Sequence, residues 1–173
     1  MYPYLRLVKV MLSSRNEGKP DPFKESVLAL RVNVWDLDIF LELNNGRHLT
    51  LMDLGRFHLG KSAGLFEVLK EYKWGLMVAG VNVKYRHRLK YGQRFTLSTR
   101  LIDFDDRWFF FHQQIKVGEK VCSQALVKTA VTSREGLVPT IKMREAMGIE
   151  SWQPEKSEWI KDWENSSWTT NKI

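Results

Sequence analysis

Residues 44–72 read NNGRHLTLMDLGRFHLGKSAGLFEVLKEY, and this stretch decides the fold. It contains no proline, and Leu49, Met52, Leu59, Ala63, Phe66 and Leu69 recur at three- and four-residue steps, the spacing that lays side chains along one stripe of an α-helix. A single long helix from Arg47 to about Tyr72 is therefore expected. Asn44 or Asn45 supplies its N-cap, because an Asn side chain accepts from the unpaired amides of a first turn. Gly55, Gly60 and Gly64 each weaken intrinsic helicity by about 1 kcal/mol relative to alanine, so a neighbouring surface must approach them closely. A sheet wrapped around the helix supplies that contact.

Upstream, Ser26–Trp35 (SVLALRVNVW) alternates with period two and reads as a strand. Asp36–Asn45 breaks the alternation. Downstream, Leu76–Leu89, Arg94–Phe104, Arg107–Val117 and Lys120–Thr132 read as strands separated by turn residues at Lys90-Tyr91-Gly92, Asp103–Asp106 and Gly118-Glu119. Strand, long helix, then four strands makes an α+β domain, an antiparallel sheet around one central helix. Thr140–Met147 adds a short helix.

The chain divides into an N-terminal arm and loop (1–22), a body (23–148) and a Trp-rich acidic tail (149–173). In the arm, Leu5, Val8, Met11 and Leu12 fall at roughly helical spacing, interrupted by Arg6 and Lys9, and Asn16–Pro22 (NEGKPDP) is a loop. The arm is expected to dock on its own body, with weak membrane-surface contact as the sharper alternative. Trp159, Ile160 and Trp163 share a helix face in the tail and, with Trp152 and Trp168, should pack on the body or on a partner chain.

At 173 residues one domain can bury its own core. The net charge of +7 is uneven: from Glu150 onward three lysines face five acids, leaving +9 on residues 1–149. A basic body suits an anionic partner. Cys122 is the only cysteine, which excludes an intramolecular disulfide and a CxxC pair and points to a reducing, cytoplasmic setting. His48, His58, His87 and His112 lack metal-ligand spacing, and no Gly-x-Ser-x-Gly elbow is present.

The run Trp35-Asp36-Leu37-Asp38-Ile39-Phe40-Leu41-Glu42-Leu43-Asn44-Asn45, with the elements on either side, resembles the 4-hydroxybenzoyl-CoA thioesterase-like branch of the hotdog superfamily. Members typically carry Asp-x-Asp-x-x-Gly-His-x-Asn-Asn before the central helix and a carboxylate-x-x-Arg pair within it. Asp36, Asp38, Asn44 and Asn45 match the first motif; Asp53 and Arg56 match the second. Val83-Lys84-Tyr85-Arg86 and Tyr91-Gly92-Gln93 look like the family's tyrosine-bearing strand motif and the turn after it. The likeness covers roughly residues 25–140. Within the branch it is closest to the subgroup called thioesterase superfamily member six, whose members share a Leu-rich basic arm and a Trp-Asp-Leu-Asp run. Leu41-Glu42 stand where the family often has Gly-His, and His48 where an aromatic often starts the helix.

The resemblance implies a hotdog fold and hydrolysis of a fatty or aromatic acyl-CoA without a cofactor. It also implies a homodimer or dimer of dimers, with the site shared across the interface. Asp38 would act as general base or nucleophile, and amides near Asn45 and Gly46, at the positive end of the helix dipole, would polarise the carbonyl. Glu42 and Asp53 are further catalytic candidates; Asn44, His48 and Tyr85 are candidates for substrate binding. Read without the family, Asp38 is a turn-capping carboxylate, Glu42 a solvated loop acid, and Asp53–Arg56 an ion pair one helical turn apart. Lys84, Arg86, Arg88 and Lys90 alternate with Tyr85, His87 and Leu89, so an extended strand would present four cations on one face to the phosphates of coenzyme A. A solvated sheet face is the plainer reading, and nucleic acid is not expected. The aromatic run Trp108–Phe111 is core or the wall of an acyl pocket. The rival to hydrolysis is a non-catalytic hotdog protein that binds acyl-CoA, lipid or a protein partner.

Overall fold

The computed structural model describes residues 3–13, 24–154, 160, 162 and 163. In chain order they form α1 (Tyr4–Ser13), β1 (Ser26–Arg31), α2 (Asn45–Ser62), α3 (Leu65–Tyr72), β2 (Gly75–Tyr85), β3 (Arg94–Phe104), β4 (Phe109–Val117), β5 (Lys120–Ser133), β6 (Gly136–Val138) and α4 (Thr140–Ala146). Every strand pairing is antiparallel, in the order β1-β3-β4-β5-β2 with β6 hung on β5. The central helix α2 lies against β1 and β3. This is the sheet-around-helix arrangement read from the sequence.

Three boundaries differ from expectation. The long helix is two helices, because Gly64 takes φ 74, a left-handed conformation that ends α2 and lets α3 start in a new direction. Nothing lies within 4 Å of a Cβ built at Gly64, so this glycine serves the turn and not a close contact. β1 stops at Arg31, after which Val34–Asp36 wind into one 3-10 turn. β2 stops at Tyr85, short of Leu89, because the amides of Arg86 and His87 both turn to the Cys122 carbonyl, at 2.8 and 3.0 Å.

Gly55 seats the helix. A Cβ there would collide with Thr99 Oγ1 and stand 3.0 Å from both Gln113 Nε2 and Leu97 Cδ2, so α2 touches β3 and β4 through bare backbone. Fully buried Gln113 satisfies what that contact would otherwise strand: its Nε2 donates to the Met52 carbonyl and to Thr99 Oγ1, each at 2.8 Å, and its Oε1 accepts from Arg56 Nη1 at 2.5 Å. Around this seat pack Leu51, Met52 and Leu54 from α2 with Leu97 and Ile115 from the sheet.

The flanking segments join this core. Val10 of α1 is buried in the same cluster, so the arm docks on the body, while Tyr4, Leu5, Val8 and Leu12 face outward. From the tail, Trp152 stacks obliquely on Phe104 and Trp163 meets Phe110 edge-on, with centroids 5.4 and 6.5 Å apart, and Ile160 is buried. Asn16–Pro22, Trp159 and Trp168 lie outside the described residues. No helix among the described residues is long and apolar enough to cross a membrane.

Between β1 and α2 the chain makes a tight hairpin, with Leu37 bridged to Leu43. The Asp38 amide donates to the Glu42 carbonyl at 2.8 Å and the Leu41 amide to the Asp38 carbonyl at 3.1 Å. Leu41, which stands where the family often has glycine, takes φ 58. The left-handed residue that closes a three-residue hairpin loop is therefore present, carried by a leucine. The hairpin is tied down by Asp36, only 2% exposed, whose carboxylate meets Arg6 of α1 at 2.7 Å, Arg47 of α2 at 3.6 Å and the Asn33 amide at 2.9 Å.

Two consequences are measurable. A left-handed non-glycine residue costs about 1–2 kcal/mol, and glycine returns about 0.5–1 kcal/mol of that as unfolded-chain entropy. Leu41 is 70% exposed and gives up little packing. Leu41→Gly should therefore raise unfolding stability by up to about 1 kcal/mol in urea titrations, whereas a relaxed loop would lose stability. The second concerns His48, buried on the first turn of α2 with Nδ1 2.9 Å from Ser123 Oγ. Burial pushes its imidazole down to about 4, against a smaller upward pull from the Leu43 backbone. The unfolded chain then takes up this proton first, so stability is full above about pH 6.5 and drains away as pH falls toward 4. The limiting loss is roughly 3 kcal/mol. Unfolding curves between these limits should slope accordingly, and His48→Gln should remove that slope.

Candidate functional site

At the N-terminal end of α2, Asn44 is the cap: its Oδ1 accepts from the amides of Gly46 at 2.9 Å and Arg47 at 3.3 Å. The Gly46 amide, expected to face a substrate carbonyl, is thus held by the cap. The exposed Asn45 amide is the donor of that turn the cap does not take. Behind it, the Tyr85 hydroxyl donates to the Asn45 carbonyl at 3.0 Å, and the Tyr85 ring meets His48 edge-on with centroids 5.1 Å apart. Burial pushes the Tyr85 phenol up. His48 is only 3% exposed, so it braces this end of the helix from inside.

Asp38 is half-buried, and its Oδ1 accepts from the amides of Phe40 at 2.8 Å and Glu42 at 3.3 Å. It caps its own turn, as a carboxylate at the head of a hairpin loop does. The Glu42 carboxylate pairs with Arg88 at 3.2 Å, and its backbone bridges to Lys90. The expected four-cation strand face does not form. Lys84 lies in β2, but Arg86 and Arg88 follow the strand's end in a strap that carries the chain from β2 to β3, and the shared Cys122 carbonyl of Arg86 and His87 breaks the period-two register between Lys84 and the later cations.

A second feature lies further along α2: an apolar cavity of about 320 Å³. Gly60 of α2, Phe66 of α3, Leu76–Val78 of β2, Met143 of α4 and Met147 just after it line it. Phe109 and Phe111 also line it, whereas Phe110, on the opposite face of β4, packs with Leu126 and Ile160. Alternate residues of the aromatic run therefore divide between pocket wall and core. Asp53 is the one carboxylate among the described lining residues. It forms the intrahelical ion pair with Arg56, which Gln113 holds from below. Burial raises the Asp53 carboxyl above the ordinary aspartate value despite the opposing charge of Arg56. A carboxylate so placed is a stronger base than one in water and borders an apolar space.

Gln113, Met143 and Met147 carry no motif. Gln113 is foreshadowed only by two adjacent glutamines that follow an aromatic run in the strand FFFHQQIKV. Among the described residues no group of three or more His, Cys, Asp or Glu is placed to hold a metal ion.

Comparison with known proteins agrees with this architecture. A family model described as the thioesterase-like superfamily matches residues 32–160. Protein THEM6 of Danio rerio is 33% identical over 94 residues, covering 54% of this chain and 46% of that protein. The match spans about half to two thirds of the length of the curated relatives. Among solved structures, the probable thioesterase YbaW from Escherichia coli superposes with a TM-score of 0.66 at 17% identity, covering 72% of this chain and 98% of that one. The hypothetical protein SAV2348 from Staphylococcus aureus, solved in complex with CoA, gives a TM-score of 0.62 at 14% identity, covering 78% and 89%. The sheet wrapped around α2 is a hotdog fold, and with the family model matching most of its length the chain belongs to the thioesterase-like superfamily.

Proposed function

We propose that this protein hydrolyses an acyl-CoA, with the acyl group in the cavity beside α2 and Asp53 as the base at its rim. One observation carries the reading: an apolar cavity of about 320 Å³ with Asp53 as its one lining carboxylate among the described residues. The fold of the CoA-bound Staphylococcus aureus protein supports the choice of coenzyme A as the carrier.

In this reading Asp53 takes a proton from water as the water oxygen attacks the thioester carbon. The tetrahedral oxyanion collapses, the C–S bond breaks, and the coenzyme A thiolate leaves to be protonated. A backbone amide must face the oxyanion. The Asn45 amide lies eight residues from Asp53 on the same helix, about 12 Å along its axis, too far for both to touch one carbonyl group. A second copy resolves the distance. β2 is an edge strand whose Leu76, Met77 and Val78 are 41–47% exposed while they wall the cavity. Two copies paired edge to edge along β2 would cover this apolar edge, roof the cavity and bring each Asp53 toward the other copy's Asn45. We accordingly read the active unit as a homodimer.

Asp38 stays as a second assignment, because the hairpin that carries it keeps the left-handed residue of the family loop at Leu41. Purified protein should release free thiol from a panel of short, medium, long and aromatic acyl-CoAs, and Asp53→Asn should lower kcat/KM at least 100-fold. Asp38→Asn should lower it much less; the reverse ranking would move the base to Asp38. Binding of acyl-CoA without turnover would instead identify a non-catalytic binding protein. Asp53 works as its carboxylate, so log kcat/KM should fall as pH drops through a pKa above the ordinary aspartate range, and Asp53→Asn should abolish that limb. Val81→Lys, placing a charge on the exposed β2 edge, should shift the protein from dimer to monomer in analytical ultracentrifugation; a monomeric parent protein would overturn the shared site.

A further inference from the structure

At the opposite edge of the sheet, four strand spacings from β2 and roughly 19 Å along its surface, a groove of about 620 Å³ opens between α1 and the ends of β1, β3 and β4. Five of its lining residues are cations, Arg6 and Lys9 from α1, Arg31 from β1, Arg94 from β3 and Lys116 from β4, and no carboxylate among the described residues lines it. The concentration is built by register. Arg31 stands directly opposite Arg94, and Lys116 lies one strand over, opposite Thr96. Like charges facing each other across an antiparallel pair destabilise it. Among the described residues no acid forms an ion pair with Lys9, Arg31, Arg94 or Lys116.

Arg6 sharpens the case. Its Nη2 is committed to Asp36 and to the Arg31 carbonyl, each at 2.7 Å, but its Nη1 is buried and has no hydrogen-bond partner among the described residues. A buried guanidinium nitrogen without a partner leaves the positive charge of Arg6 incompletely compensated. Arg31 is held in place, its Nε donating to the Gly92 carbonyl at 2.7 Å, so the groove presents at least one cation fixed by backbone. A facing pair of like charges, set among five cations with no lining carboxylate among the described residues, is relieved by one occupant, an anion with several oxygens.

We propose that this groove binds a phosphate-bearing anion of at least two negative charges, at a site separate from the acyl cavity. Clustered guanidinium groups match the geometry of phosphate oxygens, and a partly enclosed setting protects the attraction from salt. Such a group is carried by a soluble diphosphate or by a phosphorylated lipid headgroup, and the test separates the two.

The full chain is titrated calorimetrically with inorganic pyrophosphate. It is also sedimented with phosphatidylcholine vesicles, with and without a phosphoinositide bisphosphate. The comparison is between Arg94→Gln/Lys116→Gln and the charge-matched Lys24→Gln/Lys142→Gln, whose residues are exposed and outside the groove. One saturable pyrophosphate site is expected, weakened at least tenfold in the first variant and unchanged in the second. Phosphoinositide-dependent sedimentation with the same ranking would assign the anion to a lipid headgroup; pyrophosphate binding alone would assign it to a soluble ligand. Pyrophosphate should raise Tm of the parent protein but not of the groove variant. Without anion the groove variant should unfold no earlier than the parent, whereas a merely structural role would lower its Tm. The absence of saturable binding in both arms, or equal binding by the two variants, would overturn the proposal.

Discussion

Everything about the centre of this molecule follows from how closely α2 approaches the sheet at Gly55. With no side chain there, the helix backbone rests on Thr99, Gln113 and Leu97, and the amide of Gln113 is the spacer that both fills the contact and satisfies it. The same glutamine reaches Arg56 and so holds the polar pair that faces the cavity. A polar group fully buried between helix and sheet has only a few satisfied positions open to it. The seat therefore fixes helix height and the position of the charged rim together.

A second clamp acts at the other end of the helix. The Asp36 carboxylate gathers α1, the turn after β1 and the first turn of α2 through Arg6, Asn33 and Arg47. Breaking one partner would leave a nearly buried charge uncompensated. The hairpin that carries Asp38 is thus braced at its base while its tip, Ile39–Leu41, stays exposed. Rigidity and exposure lie within a few residues of each other.

The order of elements was legible because a proline-free stretch with a stripe of apolar residues at helical steps precedes strand-length runs divided by turn residues, the clearest alternation being that of β3. An asparagine cap at Asn44 or Asn45, the Asp53–Arg56 pair and the alternation of Phe109–Phe111 between two faces follow from spacing alone; the choice of Asn44 comes from its contacts with the Gly46 and Arg47 amides. What was not legible depends on tertiary contact. The cations after Tyr85 alternate in sequence, yet the amides of Arg86 and His87 both fall on the one Cys122 carbonyl of β5, which breaks the ladder register there, so the alternation loses its meaning. Gly64 reads like the other helix glycines, but its φ makes it a break. The cavity is assembled from α2, α3, β2, β4 and α4, and no local pattern announces which residues of five elements will meet. The groove beside α1 was hidden for the same reason: its cations come from four elements, and only strand register brings them together.

The cavity's far wall belongs to α4 and the residues just after it, with Met143, Met147 and Ile149 turned into the space. That segment follows the last strand and contributes nothing to the β1–β5 ladder or to the seat of α2. Depth and chemistry are therefore encoded in separable parts of the chain. A lengthened or shortened C-terminal helix resizes the chamber without disturbing Asp53, and methionine, with its unbranched and pliable side chain, suits a wall that must conform to guests of differing shape.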